Sequence, residues 1–575
     1  MMSPGIYAVG SLAGEAIDPA DCRILGIDPS NVGFAGMARD FPGTSGTVDR
    51  YEDGANVLLF IGRLHDGAKL AAELGLIEAG PAKLALAALL RWGADARARM
   101  PGEWSLLHWN RLDRRLQIAT SYRLRDRVLI ARAGSRFAVA PNLATLSRLP
   151  WIDDAIDPEG LAYELSPQRF RLGREGHTVL RQVRQVEAGQ FVTLDATDKH
   201  VVSRPRLEAI PWRGSFEDGV AAATDALRGI IRRTMAPYRR IGVLLSGGLD
   251  STLIAAIAAE ELRSDQTLTG FTSIAPPGTG LIDEHKWTRH TADHLGIEMV
   301  PIWPADDCEI YRPTPQHYEN GPTRSVRHYL YRALFGAAHE RDVDVMLDGE
   351  YGESAISRGA HFATPMNRIR AASRRLRQRL RLGGEAPPER FMAHFTPQFV
   401  TGLPAPLREA APPMPIDWLS PSRPMGFTKG QPGFGAFPTA DTGFALRRAN
   451  PCLGDIELLR LVGGMPASFL RRDGYDRTLI RGMLAGRVPD KTRLRTEKRA
   501  FSPDYNNRLL REAPPLRSRL DAWRAAGVGA TLDLDWMTQK VELMAVGDLP
   551  PPQTVGKFHM TAMAAEFLLW WPRQG

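Results

Sequence analysis

The residues with the clearest chemical signature lie at positions 243–251, where the sequence reads VLLSGGLDS. An apolar run breaks at Ser246-Gly247-Gly248 and an apolar-periodic segment starts near Leu253, which predicts a strand, a tight loop and a helix. Glycines let backbone N–H groups approach an anion closely, and the following helix presents its positive end to the same place. The segment predicts a polyphosphate site, although Gly-Gly turns of purely structural origin share the pattern.

Asp250 lies in this segment and would repel a phosphate directly. Carboxylate oxygens are favoured ligands of Mg²⁺, so we expect Asp250 to hold this ion against phosphate oxygens. The segment lacks the Gly-Lys-Ser/Thr ending of the P-loop signature. The pattern therefore indicates a phosphate loop of another kind.

Several later segments must position this loop and complete a site. Residues 270–274 predict a second buried strand, and residues 283–292 open a helix that ends at Leu295-Gly296. A third apolar run at 343–347 leads into Asp348-Gly349-Glu350. Four further segments follow later in the chain, at 448–451, at 475–481, which is helix-like, at 484–489 and at 495–501.

The loop and these segments, in this order, resemble the asparagine-synthetase-like ATP-pyrophosphatase family, which includes asparagine synthetases, β-lactam synthetases and lasso-peptide cyclases. The resemblance implies an α/β ATP-pyrophosphatase domain, adenine nucleotide alpha hydrolase-like, over residues 209–575. It also implies ATP and Mg²⁺ as cofactors. The nucleotide ligands that it implies are Leu244, Ser246, Gly247, Gly248, Asp250, Ser251, Ser273 and Gly349.

The resemblance also implies roles for three charged residues. Glu350 occupies the position of the family's base, and Lys498 would stabilise negative charge on the phosphate and on the tetrahedral oxyanion. Glu353 stands where the family usually has Asp as the second metal carboxylate beside Asp250. An exposed surface lysine is the alternative interpretation of Lys498.

Residues 1–208 have a different pattern, with short apolar runs separated by Gly, Asp, Arg and Pro turns. The runs lie at 57–61, 104–109, 116–119, 128–131 and 137–140. They predict an antiparallel sheet layer. Their order resembles the glutaminase domain of asparagine synthetases, so we expect a β-rich, degenerate Ntn-type glutaminase-like sandwich ahead of the α/β domain.

Two departures predict that this first domain is inactive. Glutaminases of this type use an N-terminal cysteine thiolate, but here Met2 and Ser3 stand near the start. The family's Asn-Gly-Glu substrate loop corresponds to Ile61-Gly62-Arg63, which lacks both the amide and the carboxylate. The amine for any amide bond must then come from a source other than glutamine.

The loss of glutaminase chemistry favours family members whose substrate carries its own amine. We expect a lasso-peptide cyclase that adenylates an Asp or Glu side chain of a precursor core peptide and closes a macrolactam with the peptide's N-terminal amine. Such enzymes accompany a leader-cleaving protease and a leader-recognition protein. Two alternatives stay open: another amide ligase, ammonia-dependent or β-lactam-synthetase-like, and an inactive peptide-binding scaffold.

The net charge of +8 is partly local, because seven arginines and no acid lie between Arg368 and Arg381. A solvated basic helix face, docking of an acidic peptide, and nucleic acid are the interpretations in decreasing order of weight. An Arg- and Pro-rich insertion is expected at about 360–440. We expect no nucleic-acid partner.

The remaining composition indicates a cytoplasmic protein. No run of about 18 apolar residues predicts a membrane helix, and no targeting segment is recognisable. The three cysteines, Cys22, Cys308 and Cys452, are predicted to be reduced packing residues. His290 and His294, four apart on one predicted helix, fit a solvated face better than a metal pair.

Overall fold

A computed structural model describes residues 4–29, 33–40, 47–122, 127–165, 176–195, 200–203, 209–305, 310–311, 318–322, 327–350, 352, 356, 392–408, 447–449, 452–472, 474–497 and 499–571. The predicted insertion at about 360–440 lies outside these residues except for 392–408. The Arg368–Arg381 run, Cys308, Glu353 and Lys498 also lie outside them.

The first part of the chain contains two antiparallel sheets. Their strands are β1 Gly5–Ser11, β2 Phe34–Arg39, β3 Thr47–Glu52, β4 Asn56–Leu64, β5 Gly102–Asn110, β6 Arg115–Thr120, β7 Val128–Ala133, β8 Arg136–Ala140, β9 Val183–Val186, β10 Phe191–Leu194 and β11 His200–Ser203. The first sheet has the order β2-β1-β8-β7-β9, and the second has the order β11-β10-β6-β5-β4-β3.

Short helices surround these sheets. They are α1 Pro19–Leu25, α2 Gly67–Leu74, α3 Pro81–Trp92, α4 Ala96–Arg99, α5 Leu143–Leu146 and α6 Pro158–Leu165. The sequence of β4 is continuously apolar because both of its faces are buried. Leu59 and Ile61 face a core shared by the two sheets, whereas Leu58 and Phe60 pack in a second core with α3. A strand that is buried on both faces needs no polar alternation.

The second part of the chain is built around a parallel sheet. Its strands are β12 Arg240–Leu244, β13 Thr267–Ser273, β14 Glu298–Ile302, β15 Val345–Leu347 and β16 Arg447–Ala449. The spatial order is β14-β13-β12-β15-β16, and every neighbouring pair is parallel. A two-stranded antiparallel hairpin, β17 Arg471–Arg472 and β18 Tyr475–Asp476, lies apart from this sheet.

Helices pack on both faces of the parallel sheet. The helices described in this part of the chain are α7 Phe216–Met235, α8 Leu249–Glu260, α9 His285–Leu295, α10 His328–His339, α11 Pro397–Gly402, α12 Ala405–Arg408, α13 Ile456–Gly463, α14 Thr478–Met483, α15 Asp490–Arg493, α16 Tyr505–Arg511, α17 Ala513–Ala525, α18 Leu534–Ala545 and α19 Pro552–Trp570. One core joins β12 to α7, α8 and α14, and another joins β13 to α10 and α17–α19.

The mixed α/β architecture predicted from the sequence is confirmed. The core around α10 and α19 also includes Tyr7, Leu129 and other residues of the first sheet. The predicted domain boundary at residue 208 stays a prediction. No helix in the described part of the chain is both long and apolar enough to cross a membrane.

Most element predictions are correct, with one clear error. Residues 475–481 were predicted as helix-like, but Tyr475–Asp476 is a strand that pairs with Arg471–Arg472 through a turn containing Gly474, and α14 begins only at Thr478. Gly474 has a φ of 80°, which turns the chain back between the two strands. Cys22 and Cys452 are buried free thiols, as predicted.

Candidate active site

The parallel sheet creates a crevice at one point along its carboxyl edge. The chain builds β13 and β14 on one side of β12, and later adds β15 and β16 on the other side. In open α/β sheets, ligands bind where the strand order reverses in this way, outside the carboxyl ends of the strands. The loops that follow β12 and β15 are therefore the expected walls of a ligand site.

The predicted phosphate loop follows β12 and leads into α8, as expected. Gly247 has a φ of 71°, which favours glycine. The Ser246 N–H donates to Ser251 Oγ at 3.1 Å, and the Ser246 and Ser251 hydroxyls lie 3.0 Å apart. These bonds hold the turn closed, while the N-cap residue Gly248 offers no side chain to the first turn of α8. The geometry is that of an anion site at a helix N-terminus.

The loop after β15 packs directly on this helix turn. A Cβ atom at Gly349 would lie 2.6 Å from the Ser251 nitrogen, and one at Gly352 would overlap the Asp250 carboxylate. Both contacts require the absence of a side chain, since real Cβ atoms do not approach this closely. Gly349, a predicted nucleotide ligand, thus lies against the predicted phosphate loop.

Asp250 lies between these two loops and is 9% exposed. A carboxylate beside a phosphate loop has the oxygen chemistry that suits Mg²⁺, so the described residues fit the implied ion. The second predicted ligand, Glu353, lies outside the described residues. Within the described ranges there is no group of three or more His, Cys, Asp or Glu that could hold a metal by itself. His290 and His294 accordingly form no described metal cluster.

Two predicted nucleotide ligands lie at the ends of the central strands. Ser273 ends β13, is 3% exposed, and its buried hydroxyl has no hydrogen-bond partner among the described residues. Such a hydroxyl is available to a ligand in the crevice. Leu244 ends β12, and its side chain is buried in the core.

Glu350 lies at the same edge, just after β15. Its N–H donates to Asp348 Oδ1 at 3.0 Å, and Asp348 is 2% exposed. Tyr331 on α10 donates its hydroxyl to Glu350 Oε1 at 3.3 Å. The structure therefore brings the predicted base to the loop of Gly349, where a backbone bond and a phenol orient its carboxylate.

A buried ion pair that the sequence did not reveal ties the phosphate loop to the segment around Lys498. Arg495 donates two bonds to the Glu284 carboxylate, at 2.5 and 3.0 Å, and the Arg499 N–H donates to the same carboxylate. Arg495 also donates to the Gly247 carbonyl oxygen at 2.8 Å. The only sequence signals of this pair are an acid before α9 and an arginine in the 495–501 segment.

Side chains of α14 and α10 also form hydrogen bonds with this segment. Arg481 on α14 donates to the backbone carbonyls of Arg493 and Arg495, in the latter case at 3.0 Å. At the other end of the segment, Ser502 Oγ lies 2.6 Å from the hydroxyl of Tyr329 on α10. Burial raises the pKa of Tyr329 to about 12, so this phenol stays protonated at neutral pH. The segment around Lys498 is therefore anchored on both sides.

Ile61 and Arg63, which stand where the family has its glutamine-binding residues, both contact other parts of the protein. Ile61 is fully buried in the core between the two antiparallel sheets. The Arg63 guanidinium lies 4.8 Å from the ring centre of Tyr238, a cation–π contact. Tyr238 lies two residues before β12, the first strand of the parallel sheet. These positions thus serve packing where the family has an amide and a carboxylate.

Comparison with known proteins gives a family match for part of the chain. Residues 222–406 match the family model of asparagine synthase. A putative glutamine-hydrolysing asparagine synthetase of Mycobacterium bovis is 30% identical over 339 residues, covering 56% of this chain and 49% of the relative. Amidase chry2 of Gibberella zeae is 21% identical over 304 residues, covering 49% of this chain and 44% of that protein.

The chain spans about half the length of the curated relatives it matches. Among solved structures, the glutamine phosphoribosylpyrophosphate amidotransferase of B. subtilis aligns with 60% of this chain and 70% of its own at 11% identity, with a TM-score of 0.23. The matched family model and the mycobacterial relative make part of this chain similar to asparagine synthetases.

Proposed function

We propose that this chain is an ATP-dependent lasso-peptide cyclase, which adenylates an Asp or Glu side chain of a precursor core peptide and joins it to the peptide's N-terminal amine. The observation that carries the ligase proposal is the meeting of the phosphate loop, Gly349 and Glu350 at the switch point of the parallel sheet. A grip on pyrophosphate beside a carboxylate base suits acyl-adenylate formation followed by attack of an amine.

The chain's own residues divide this reaction into two stages. The loop at 246–251 binds the two phosphates that leave, and Asp250 would hold Mg²⁺ there together with Glu353. When bound, Mg²⁺ neutralises charge that develops on the phosphate oxygens. Lys498 would stabilise the negative charge that grows in the first stage. Glu350 accepts the proton of the attacking amine, whose pKa of roughly 7.7–8.0 keeps it mostly protonated at neutral pH.

The source of the amine distinguishes this proposal from a glutamine-dependent asparagine synthetase. Ile61 and Arg63 pack against protein where a glutamine loop needs polar groups for its substrate. Residues 1–208 are proposed as a degenerate Ntn-type glutaminase-like sandwich that keeps a structural role. An amine carried by the substrate itself then suffices.

The peptide substrate is proposed from charge and size. A net charge of +8 and the predicted insertion at about 360–440 suit a peptide that carries a carboxylate. A leader-cleaving protease and a leader-recognition protein would supply the core peptide. The alternatives are an ammonia-dependent or β-lactam-synthetase-like ligase and an inactive scaffold.

The test is incubation of the purified protein with ATP and synthetic core peptides that have Gly, Ala, Ser or Cys at position one and Asp or Glu seven to nine residues on. We expect AMP, pyrophosphate and a peptide lighter by one water, at a rate that added glutamine does not change. Replacement of the acceptor Asp by Asn in the peptide is the matched control. Release of glutamate from glutamine, or formation of ADP and phosphate, would contradict the proposal.

Glu350→Gln should separate the two stages. A general base contributes about 10²–10⁴-fold, so ring closure should fall by that factor while peptide-dependent exchange of pyrophosphate into ATP continues. Tyr331→Phe removes a single 3.3 Å bond to this carboxylate and should have a smaller effect. Loss of exchange together with ring closure in Glu350→Gln would move Glu350 from base to nucleotide positioning.

A further inference from the structure

Glu284 and Arg495 form a buried pair at the centre of the candidate site. Their side chains are 2% and 7% exposed, and neither belongs to the predicted phosphate loop. A buried pair of charges contributes little to net stability because desolvation offsets the attraction. The position of this pair therefore calls for an explanation from its other contacts.

Those contacts form a chain of bonds across the site. Arg495 donates to the carbonyl oxygen of Gly247, so one end of the chain is the phosphate loop. Glu284 accepts the N–H of Arg499, so the other end is the peptide bond that links Arg499 to Lys498. Each bond in the chain involves at least one charged group, which makes it stronger than a neutral hydrogen bond.

The pair is also fixed from the side. The Arg495 guanidinium lies 4.5 Å from the ring centre of Trp287. A Cβ atom at Gly247 would lie 2.6 Å from Glu284 Oε2, so the loop backbone rests against the carboxylate. Next to Glu284, Asp283 accepts the N–H of Ala275 at 2.7 Å and that of His285 at 2.9 Å, which ties the start of α9 to the end of β13. Glu284 consequently has little freedom to follow a moving partner.

We propose that Glu284, through Arg495 and the Arg499 N–H, is the positioning residue that holds Arg495 and Arg499, on either side of Lys498 in the sequence, against the phosphate loop. This single carboxylate joins both residues to the loop. The inference rests on the proposed function, because it assumes that Lys498 acts on charge formed at the phosphates. Glu284 itself is placed in contact with protein groups and not with substrate.

Glu284→Gln tests the proposal, since glutamine keeps the shape and removes the charge. We expect kcat for AMP formation to fall by about tenfold or more while the KM for ATP changes by less than about twofold. In a Lys498→Ala background, the same substitution should lower kcat by less than about twofold. Residues that act as one unit give such non-additive losses of kcat. A general loss of structure would instead lower kcat by the same factor in the wild-type and in the Lys498→Ala background.

Hydrogen exchange supplies a readout that needs no turnover. Loss of bonds to a charged carboxylate should make amides in residues 495–501 exchange about tenfold or more faster in Glu284→Gln. The matched control is Glu566→Gln, which removes another buried carboxylate, one that accepts from Arg519 and from Trp523 at 2.9 Å far along the chain. That variant should leave exchange at 495–501 and kcat unchanged, and Glu284→Asp should recover part of kcat.

Unchanged exchange at 495–501 in Glu284→Gln would overturn the proposal, as would a full additive loss of kcat on top of Lys498→Ala. If Glu284→Gln fails to fold, the exchange and kinetic measurements are made on Arg495→Lys, which keeps the charge and loses the two-pronged contact. A wild-type protein that makes no AMP would refute the proposed function, but the exchange result would still decide whether Glu284 positions this segment.

Discussion

Asp250→Asn should lower AMP and pyrophosphate formation by about 10³-fold or more. Its carboxylate lies between the loops after β12 and β15 and is 9% exposed, so no solvent-side group can replace it. Metal-ion stabilisation of charge is worth several kcal/mol, and about 1.4 kcal/mol corresponds to a factor of ten in rate. Steady-state assays of AMP at increasing Mg²⁺ measure the loss.

The matched control for this substitution is Asp265→Asn. Asp265 lies after α8, pairs with Arg263 at 3.0 Å, and has a side chain that is 49% exposed. Exposed pairs contribute little, so activity and its dependence on Mg²⁺ should stay unchanged. If Asp250→Asn kept its activity at ordinary Mg²⁺ concentrations, Asp250 would have no role in binding the ion.

Lys498→Ala should have the second large effect. If this lysine meets charge that exists only in the transition state, kcat should fall by about 10²–10³-fold while binding of ATP changes little. The described neighbours support this expectation, because Arg495 and Arg499 on either side are bonded to Glu284 beside the phosphate loop. Measurement of kcat and of ATP affinity by equilibrium binding separates the two effects.

Lys491→Ala provides the control for Lys498→Ala. Lys491 is an exposed lysine of α15, seven positions before Lys498 in the sequence. Its removal subtracts the same charge from the surface without touching the Glu284 contacts. A loss of ATP affinity in Lys498→Ala as large as its loss of kcat would assign the lysine to ground-state binding and contradict a transition-state role.

The two predictions depend on different kinds of information. The loop at 246–251 and helix α8 were predicted correctly from the sequence, because a strand, a glycine turn and a helix start are decided by neighbouring residues. The same holds for α9 and its end at Gly296, where a φ of 66° needs glycine. The alternation of β4 side chains between two cores likewise follows from side chains that point to opposite faces.

The sequence by itself therefore determined the mixed α/β class and the strand, glycine turn and helix at 240–260, whereas the phosphate-binding role of that turn and the loss of a glutamine site at Ile61 and Arg63 stay predictions. The tertiary structure alone decided that Gly349 packs on Ser251, that Tyr331 meets Glu350, and that Glu284 joins Arg495. Arg495 and Gly247 are 248 residues apart, and no local pattern records such a contact. Strand order places the loops after β12 and β15 on one crevice, which brings Gly349 to Ser251. Buried charges such as Arg495 and Glu284 must find partners wherever the fold puts them.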